Sequence, residues 1–220
     1  MSRSFDLIVI GAGPAGYVAA IRASQLGMNV ACIDEWENLD GSNAFGGTCL
    51  NAGCIPSKAL LESSELFHRA ENEFGKHGIK MSDVVIDVAA MQKRKATIVR
   101  QLTGGIAGLF KANKIEGLVG HGKLLAGKKV EFTPTAGDVE QLDARYLVLI
   151  APAVGRFPLG TVPKDTLVIH GEEDDVVLLS DVFDWARPQQ VPVVVFPGTG
   201  HFFHGVLIEL QNLVTRFCSK

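Results

Sequence analysis

The chain lacks a basic excess, a long apolar run and a cysteine framework. Its 21 Lys and Arg stand against 24 Asp and Glu, a net charge of −3 over 220 residues. No surplus of cations is available to neutralise phosphates, so nucleic acid is not an expected partner. No apolar stretch approaches the ~20 residues of a bilayer span, so a membrane is not expected either. The opening Met-Ser-Arg-Ser-Phe-Asp places Asp6 inside the first apolar stretch, which does not suit a secretory signal, and the cytoplasm is the expected location. Four cysteines do not staple a chain of this length: Cys49 and Cys54 form a close pair, while Cys32 and Cys218 stand apart. His and Cys are not clustered at metal-ligand spacing, so no metal site is expected. There is no internal repeat, no G-x-S-x-G and only one G-x-G-x-x-G. The 47% apolar content excludes a disordered chain, and the length suits one large domain or two small ones.

What is present begins with alternating buried strands and helices. Phe5 to Ile10 is short, apolar and β-branched, the pattern of a strand covered on both faces. Gly11-Ala12-Gly13-Pro14-Ala15-Gly16 follows at once, then an Ala-rich helix over 17–25 stopped at Gly27. Residues 29–34 form a second buried strand ending in Asp34, which completes a βαβ unit. After a polar, glycine-rich loop over 35–53, a helix starts near Pro56 and a longer one covers 88–113. Gly104-Gly105 inside it predicts a kink or the close approach of another backbone. From Glu116 to Leu142, short apolar segments punctuated by Gly and Pro predict an antiparallel meander. A buried strand over 145–151 and two further βα units over 166–187 and 191–217 complete the chain.

The single G-x-G-x-x-G is informative because of its context: it lies between strand and helix, and an acid ends the next strand. Gly11 permits the tight turn, Gly13 lets a pyrophosphate approach the backbone, and Gly16 lets helix and strand pack closely. The helix N-terminus, with Pro14 starting the helix and Ala15 following it, offers the free N–H groups of its first turn, from Ala15 onward, to phosphate oxygens. Asp34, with Glu35 beside it, is placed to accept from ribose hydroxyls. A turn that merely packs needs neither the glycine spacing nor the acid.

Gly46-Gly47-Thr48-Cys49-Leu50-Asn51-Ala52-Gly53-Cys54-Ile55-Pro56-Ser57-Lys58 carries two cysteines at a helix entry. That spacing allows a bridge, and the helix dipole is expected to lower the pKa of a thiol there. With the glycine fingerprint, this run resembles the flavin domain of the pyridine-nucleotide disulfide oxidoreductases, most closely the dihydrolipoyl dehydrogenase branch. The resemblance extends through Gly120-His121-Gly122-Lys123-Leu124 to about residue 146. It implies FAD along the first βαβ unit. It further implies a redox-active disulfide in which Cys49 exchanges with substrate and Cys54 faces the flavin. Lys58 would lie near the reactive flavin nitrogen, and Gly47, Thr48, His121 and Gly122 would touch the cofactor. Asp34 stands where that family usually has Glu. The family's Ala-Thr-Gly turn is replaced by Ala151-Pro152-Ala153. A nicotinamide fingerprint, a ribityl-holding Gly-Asp element and a dimerisation domain are also not found in the sequence.

The last third resembles a different family. Thr166 to Val177, with His-Gly-Glu-Glu-Asp at 170–174, resembles the seventh strand and acid loop of an α/β-hydrolase. Val193 to Phe203, with Pro-Gly-Thr-Gly-His at 197–201, resembles its eighth strand and histidine loop. The resemblance implies Asp174 as a triad acid and His201 as a triad base. Without a serine elbow there is no nucleophile for acyl transfer, so no hydrolase activity is expected, and both residues read as inherited polar groups at strand ends.

These readings combine into a doubly wound, parallel α/β sheet, Rossmann-like, of order 3-2-1-4-5-6, with a small antiparallel meander. Residues 116–120 form one edge and 193–196 the other. Residues 1–146 are a flavin-domain fragment and 147–220 a hydrolase-like fragment, joined near 144–152 as a chimera in one composite domain. Three functions remain open on sequence: an FAD-binding module with little or no turnover, a ligand-free recombined scaffold, and a residual dithiol/disulfide oxidoreductase. Self-association would follow from an exposed sheet edge.

Overall fold

The computed structural model describes residues 3–38, 40–155 and 159–219. The chain divides into two compact units. One is formed by residues 9–26 and 30–121, the other by 1–8, 27–29 and 122–220.

In the first unit the apolar, β-branched segments become covered strands. The second half of β2 (Leu7–Ile10) leads into the glycine turn and α1 (Pro14–Gln25), and β3 (Val30–Asp34) follows. Val30, Ala31, Cys32 and Ile33 are all buried, as the unbroken apolar run requires for a strand covered on both faces. β3 pairs in parallel with β4 (Glu116–Leu125), Ala31 opposite Glu116 and Asp34 opposite Val119. α2 (Gly47–Asn51) and α3 (Cys54–Asn72) carry the two cysteines. α4 (Val88–Ala112) starts with an Asp87 side chain that accepts from the Ala90 N–H at 3.0 Å, satisfying one of the helix's orphan donors. α3 and α4 are tied by Arg94, which donates to the Ala59 carbonyl at 3.1 Å and to Glu62 at 2.9 Å. Phe110 of α4 packs on Phe45 with ring centroids 5.0 Å apart. Gly104 and Gly105 lie inside the continuous α4, and a Cβ at either would meet nothing within 4 Å. The expected close backbone approach is therefore not made there; both glycines face open space.

The second unit holds two sheets. β1 (Arg3–Phe5) runs parallel to β6 (Glu140–Ala144), which is antiparallel to β5 (Lys129–Pro134). The expected meander is thus present. β7 (Val148–Ile150), β8 (Leu167–Gly171) and β9 (Val193–Phe196) form a separate parallel sheet with β8 central. Alternate residues of β8 serve opposite faces. Val168 packs with Val177 and Val182 on the side of α5 (Leu179–Ala186), whereas Leu167 and Ile169 pack with Leu210, Leu213 and Phe217 on the side of α6 (Leu207–Cys218). Helices on both faces explain why β8 is buried along its whole length.

The fold class is α/β with a mostly parallel, curled six-strand sheet and a smaller one. Hydrogen-bonded neighbours run β1-β6-β5-β4-β3-β2 in the first and β7-β8-β9 in the second. The expected order 3-2-1-4-5-6 is present as two halves. β4-β3-β2 is the first half and β7-β8-β9 the second, but β2 and β7, the strands that would join them, lie in different sheets. Nor is the 116–120 strand an edge, because β4 runs on to Leu125 and continues into β5. The strand expected over 145–151 contracts to 148–150. Arg145 and Tyr146 instead donate their N–H groups to the carbonyls of Phe5 and Asp6, at 3.1 and 3.3 Å. No helix among the described residues is long and apolar enough to cross a membrane, and no metal-holding cluster of His, Cys, Asp or Glu occurs among them.

Candidate functional site: a glycine turn beside a cysteine pair

The glycine turn is built from main chain. Gly11 donates its N–H to the Ile33 carbonyl at 2.8 Å, which ties the exit of β2 to β3. A Cβ at Gly16 would lie 1.8 Å from the Gly11 carbonyl oxygen, so helix and turn meet at a distance only glycine allows. Gly11 and Gly13 differ: a Cβ at either would meet nothing within 4 Å, which leaves open space over the turn. α1 begins behind it with Pro14 at its first position, no side-chain cap on Gly13 and no acid in its first turn. Its N-terminal amides are therefore free of a competing carboxylate, and Pro14 and Ala15 are exposed.

Asp34 ends β3 against this turn. One carboxylate oxygen accepts from the Ala12 N–H at 2.6 Å and the other from the Trp36 N–H at 2.8 Å. Both bonds shape the backbone, a role the sequence did not signal, and each oxygen keeps a further lone pair. The neighbouring Glu35 faces His121, with Nδ1 and Oε2 2.6 Å apart and both side chains largely exposed. Sequence named these two residues separately and missed that they meet across adjacent strands. Gly122 follows His121 in β4.

The cysteine segment packs on the turn. A Cβ at Gly47 would lie 2.8 Å from the Gly13 Cα, so α2 touches the turn main chain to main chain. Asn51 secures that end by donating to the Gly47 carbonyl at 3.0 Å, while its own buried Oδ1 is without a partner. Cys49 lies within α2 and Cys54 opens α3, the two helices separated by Ala52 and Gly53. Both are free thiols. The hydrogen bond with Cys54 pushes the Cys49 thiol up, burial adds to this, and Lys58 pulls weakly the other way. The lowered pKa expected at the helix entry is not found at Cys49, whose thiol is held up chiefly by its hydrogen bond with Cys54. Cys32, by contrast, is sealed in β3, and burial with the nearby Asp34 charge pushes it up to about 12. Thr48 and Lys58 are exposed on α2 and α3.

The donor set fits a dinucleotide. Open space over Gly11 and Gly13, uncapped helix amides behind it and a carboxylate at the end of β3 are what an anionic pyrophosphate and its ribose need. The two thiols and Lys58 lie in the segment that touches that turn.

Comparison with known proteins agrees with this geometry. The chain is 46% identical over 174 residues to dihydrolipoyl dehydrogenase of Cupriavidus necator, covering 78% of this chain and 36% of that protein. It is 45% identical over 165 residues to the human mitochondrial dihydrolipoyl dehydrogenase, covering 74% and 31%. It is 40% identical over 182 residues to leghemoglobin reductase of Vigna unguiculata, covering 74% and 35%. The chain therefore spans about a third of the length of these relatives. Residues 5–191 match the family described as pyridine nucleotide-disulphide oxidoreductase, and with the segment that carries the cysteine pair packed on the glycine turn through Gly47, the chain belongs to that family.

Proposed function

We propose that this chain is an FAD-binding module of the dihydrolipoyl dehydrogenase type which by itself turns over little. The observation that carries the reading is the open space over Gly11 and Gly13 in front of the uncapped α1 N-terminus, with Gly47 of the cysteine segment packed on the same turn. The N–H groups of Ala15 and Gly16 bind the pyrophosphate, Pro14 lines the same turn without a donor of its own, and Asp34 accepts from the adenosine ribose through its free lone pairs. Gly47, Thr48, His121 and Gly122 contact the cofactor, and Glu35 fixes the His121 ring. Bound flavin supplies two-electron chemistry. Cys49 and Cys54 hold the matching dithiol or disulfide, Cys49 as the sulfur that exchanges with substrate and Cys54 toward the flavin, with Lys58 balancing charge.

Residues 147–220 form an α/β-hydrolase-like fragment, a reading supported by the βα units β8–α5 and β9–α6 and by the order of Asp174 and His201. The protein works in the cytoplasm. Turnover with a nicotinamide is negligible in this chain because it offers no second glycine fingerprint. Titrating cofactor-free protein with FAD tests the assignment. Saturable quenching of flavin fluorescence is expected at tens of micromolar, equivalent to ~6 kcal/mol. No saturable change in that range refutes the module, and brisk NADH oxidation that depends on Cys54 refutes the lack of turnover.

A further inference from the structure

The second unit holds an acid–base pair that the flavin site does not use. The loop after β8 buries Asp174, and its Oδ1 accepts from the N–H groups of Val176 and Val177 at 2.9 and 2.8 Å. Oδ2 accepts from His201 Nδ1 at 2.8 Å. His201 comes from the loop after β9, and main-chain bonds lace the two loops together. The Glu172 N–H donates to the Phe196 carbonyl at 3.0 Å, the Glu173 N–H to the Thr199 carbonyl at 2.9 Å, and the Gly198 N–H to the Glu172 carboxylate at 2.8 Å. Two main-chain bonds and one to the Glu172 carboxylate therefore hold the two loops together beyond the strand ends. His170 lies 3.5 Å from Asp174 but spends its Nε2–H on the Val177 carbonyl at 2.8 Å. His201 is left as the partner of Oδ2.

The bond to Asp174 decides the tautomer of His201. The carboxylate holds the proton on Nδ1, so Nε2 presents a lone pair. Among the described residues no group bonds Nε2, and no serine, threonine or cysteine donates to His201. The ring is a quarter exposed, and beside it Phe202, 68% exposed, stands edge-on with centroids 5.2 Å apart. An oriented base next to an uncovered aromatic surface suits a small ester with an apolar leaving group.

We propose that Asp174 and His201 form a second reactive centre, in which His201 Nε2 is itself the nucleophile toward activated carboxylic esters. The lone pair of Nε2 forms a bond to the acyl carbon, the ester C–O bond breaks, and the aryloxide leaves with its electron pair. Asp174 stabilises the resulting imidazolium through Nδ1–H. Water then attacks the acyl carbon and the C–N bond breaks. The imidazole is restored, and carboxylic acid and phenol are the net products of ester and water. The missing serine elbow removes serine-based acyl transfer and leaves this route untouched. His201 is the catalytic residue; Asp174 is a positioning residue.

The test uses the full chain with its thiols alkylated beforehand and p-nitrophenyl acetate as the probe. Rapid quenching followed by peptide mass mapping is expected to find the acetyl group on His201. Adducts spread over His68, His77, His121 and His204 overturn the proposal, and this readout needs no variant. His201→Gln is expected to lose p-nitrophenolate release down to the background of the other histidines; an unchanged rate overturns it. Asp174→Asn retains an oxygen for the Val176 and Val177 N–H groups but offers an amide N–H to the ring. That puts the proton on Nε2 and is expected to cost roughly tenfold or more, as a wrong tautomer does in a serine triad. A rate equal to that of the unaltered protein in this variant removes Asp174 from the mechanism.

Discussion

The Asp34 carboxylate and the Ala12 amide, 2.6 Å apart, tie the end of β3 to the middle of the glycine turn. The same side chain holds the Trp36 N–H at 2.8 Å, so one acid fixes two changes of chain direction. Asp34→Ala leaves two main-chain donors without their acceptor, one of them on the fully buried Ala12. The expected cost is about 1–3 kcal/mol of stability, read as a lower urea midpoint, together with loss of the FAD titration signal. A variant as stable as the parent would show that the turn holds without this bond.

Gly13→Ala and Gly16→Ala separate binding from folding. A Cβ at Gly13 meets nothing, and the backbone there, at φ −66°, suits any residue, so stability is expected to change by no more than about 0.5 kcal/mol. The added methyl occupies the space over the turn and weakens FAD binding. Gly16→Ala forces a Cβ to within 1.8 Å of a carbonyl oxygen. It is expected to cost about 1–3 kcal/mol and to lower thermal midpoint and FAD affinity together. Equal effects of the two substitutions on the thermal midpoint would contradict this division.

Thiol labelling follows the four cysteine environments. Cys32 and Cys218 are buried and pushed up, and are expected to stay unlabelled by iodoacetamide in the native protein, while Cys49 and Cys54 react. Cys54→Ala removes the largest influence raising Cys49, so labelling of Cys49 at pH 8 is expected to accelerate several-fold. A slower or unchanged rate would show that burial governs Cys49 instead. Exposure of the native protein to air is expected to join Cys49 and Cys54, leaving two thiols to alkylate after unfolding; four would exclude the bridge.

Acid is expected to weaken the second unit through Asp174. Burial opposes its charge, but the N–H groups of Val177 and Val176 and the His201 ring outweigh that and hold its carboxyl below the ordinary value. A carboxyl lowered in the folded state adds stability above its unfolded pKa of ~3.9, and that contribution disappears as pH falls through the folded value. Urea midpoints of the parent and Asp174→Asn are expected to differ at pH 7 and to converge below about pH 4. A gap that is constant with pH would mean that the charge on Asp174 contributes nothing.

Local pattern carried much of this architecture. The β-branched runs at 7–10, 30–34 and 167–171 are strands because their residues can be covered on both faces, and that is written in composition. The pairing of β1 with β6 was not legible, since Arg3–Phe5 is short and polar at its start and its partner lies over a hundred residues away. The two halves of the strand order were legible, but not their separation, because register between distant strands leaves no local mark. At the site, residue types revealed the glycine turn and the thiols. They did not reveal that Asp34 braces the turn or that Glu35 meets His121, since both depend on distance between strands. Asp174 and His201, read from sequence as inherited polar groups at strand ends, are in direct contact because the loops after β8 and β9 are bonded to each other.

Gly47 and Gly13 meet with no side chain between them. Side chains cushion most contacts in a protein, since rotamers yield before the backbone does. Here nothing is available to yield. The cysteine helix and the anion-receiving turn share a single mount, so a displacement of either reaches the other undiminished. A movement of the cysteine-bearing helix therefore bears directly on the main chain of the glycine turn.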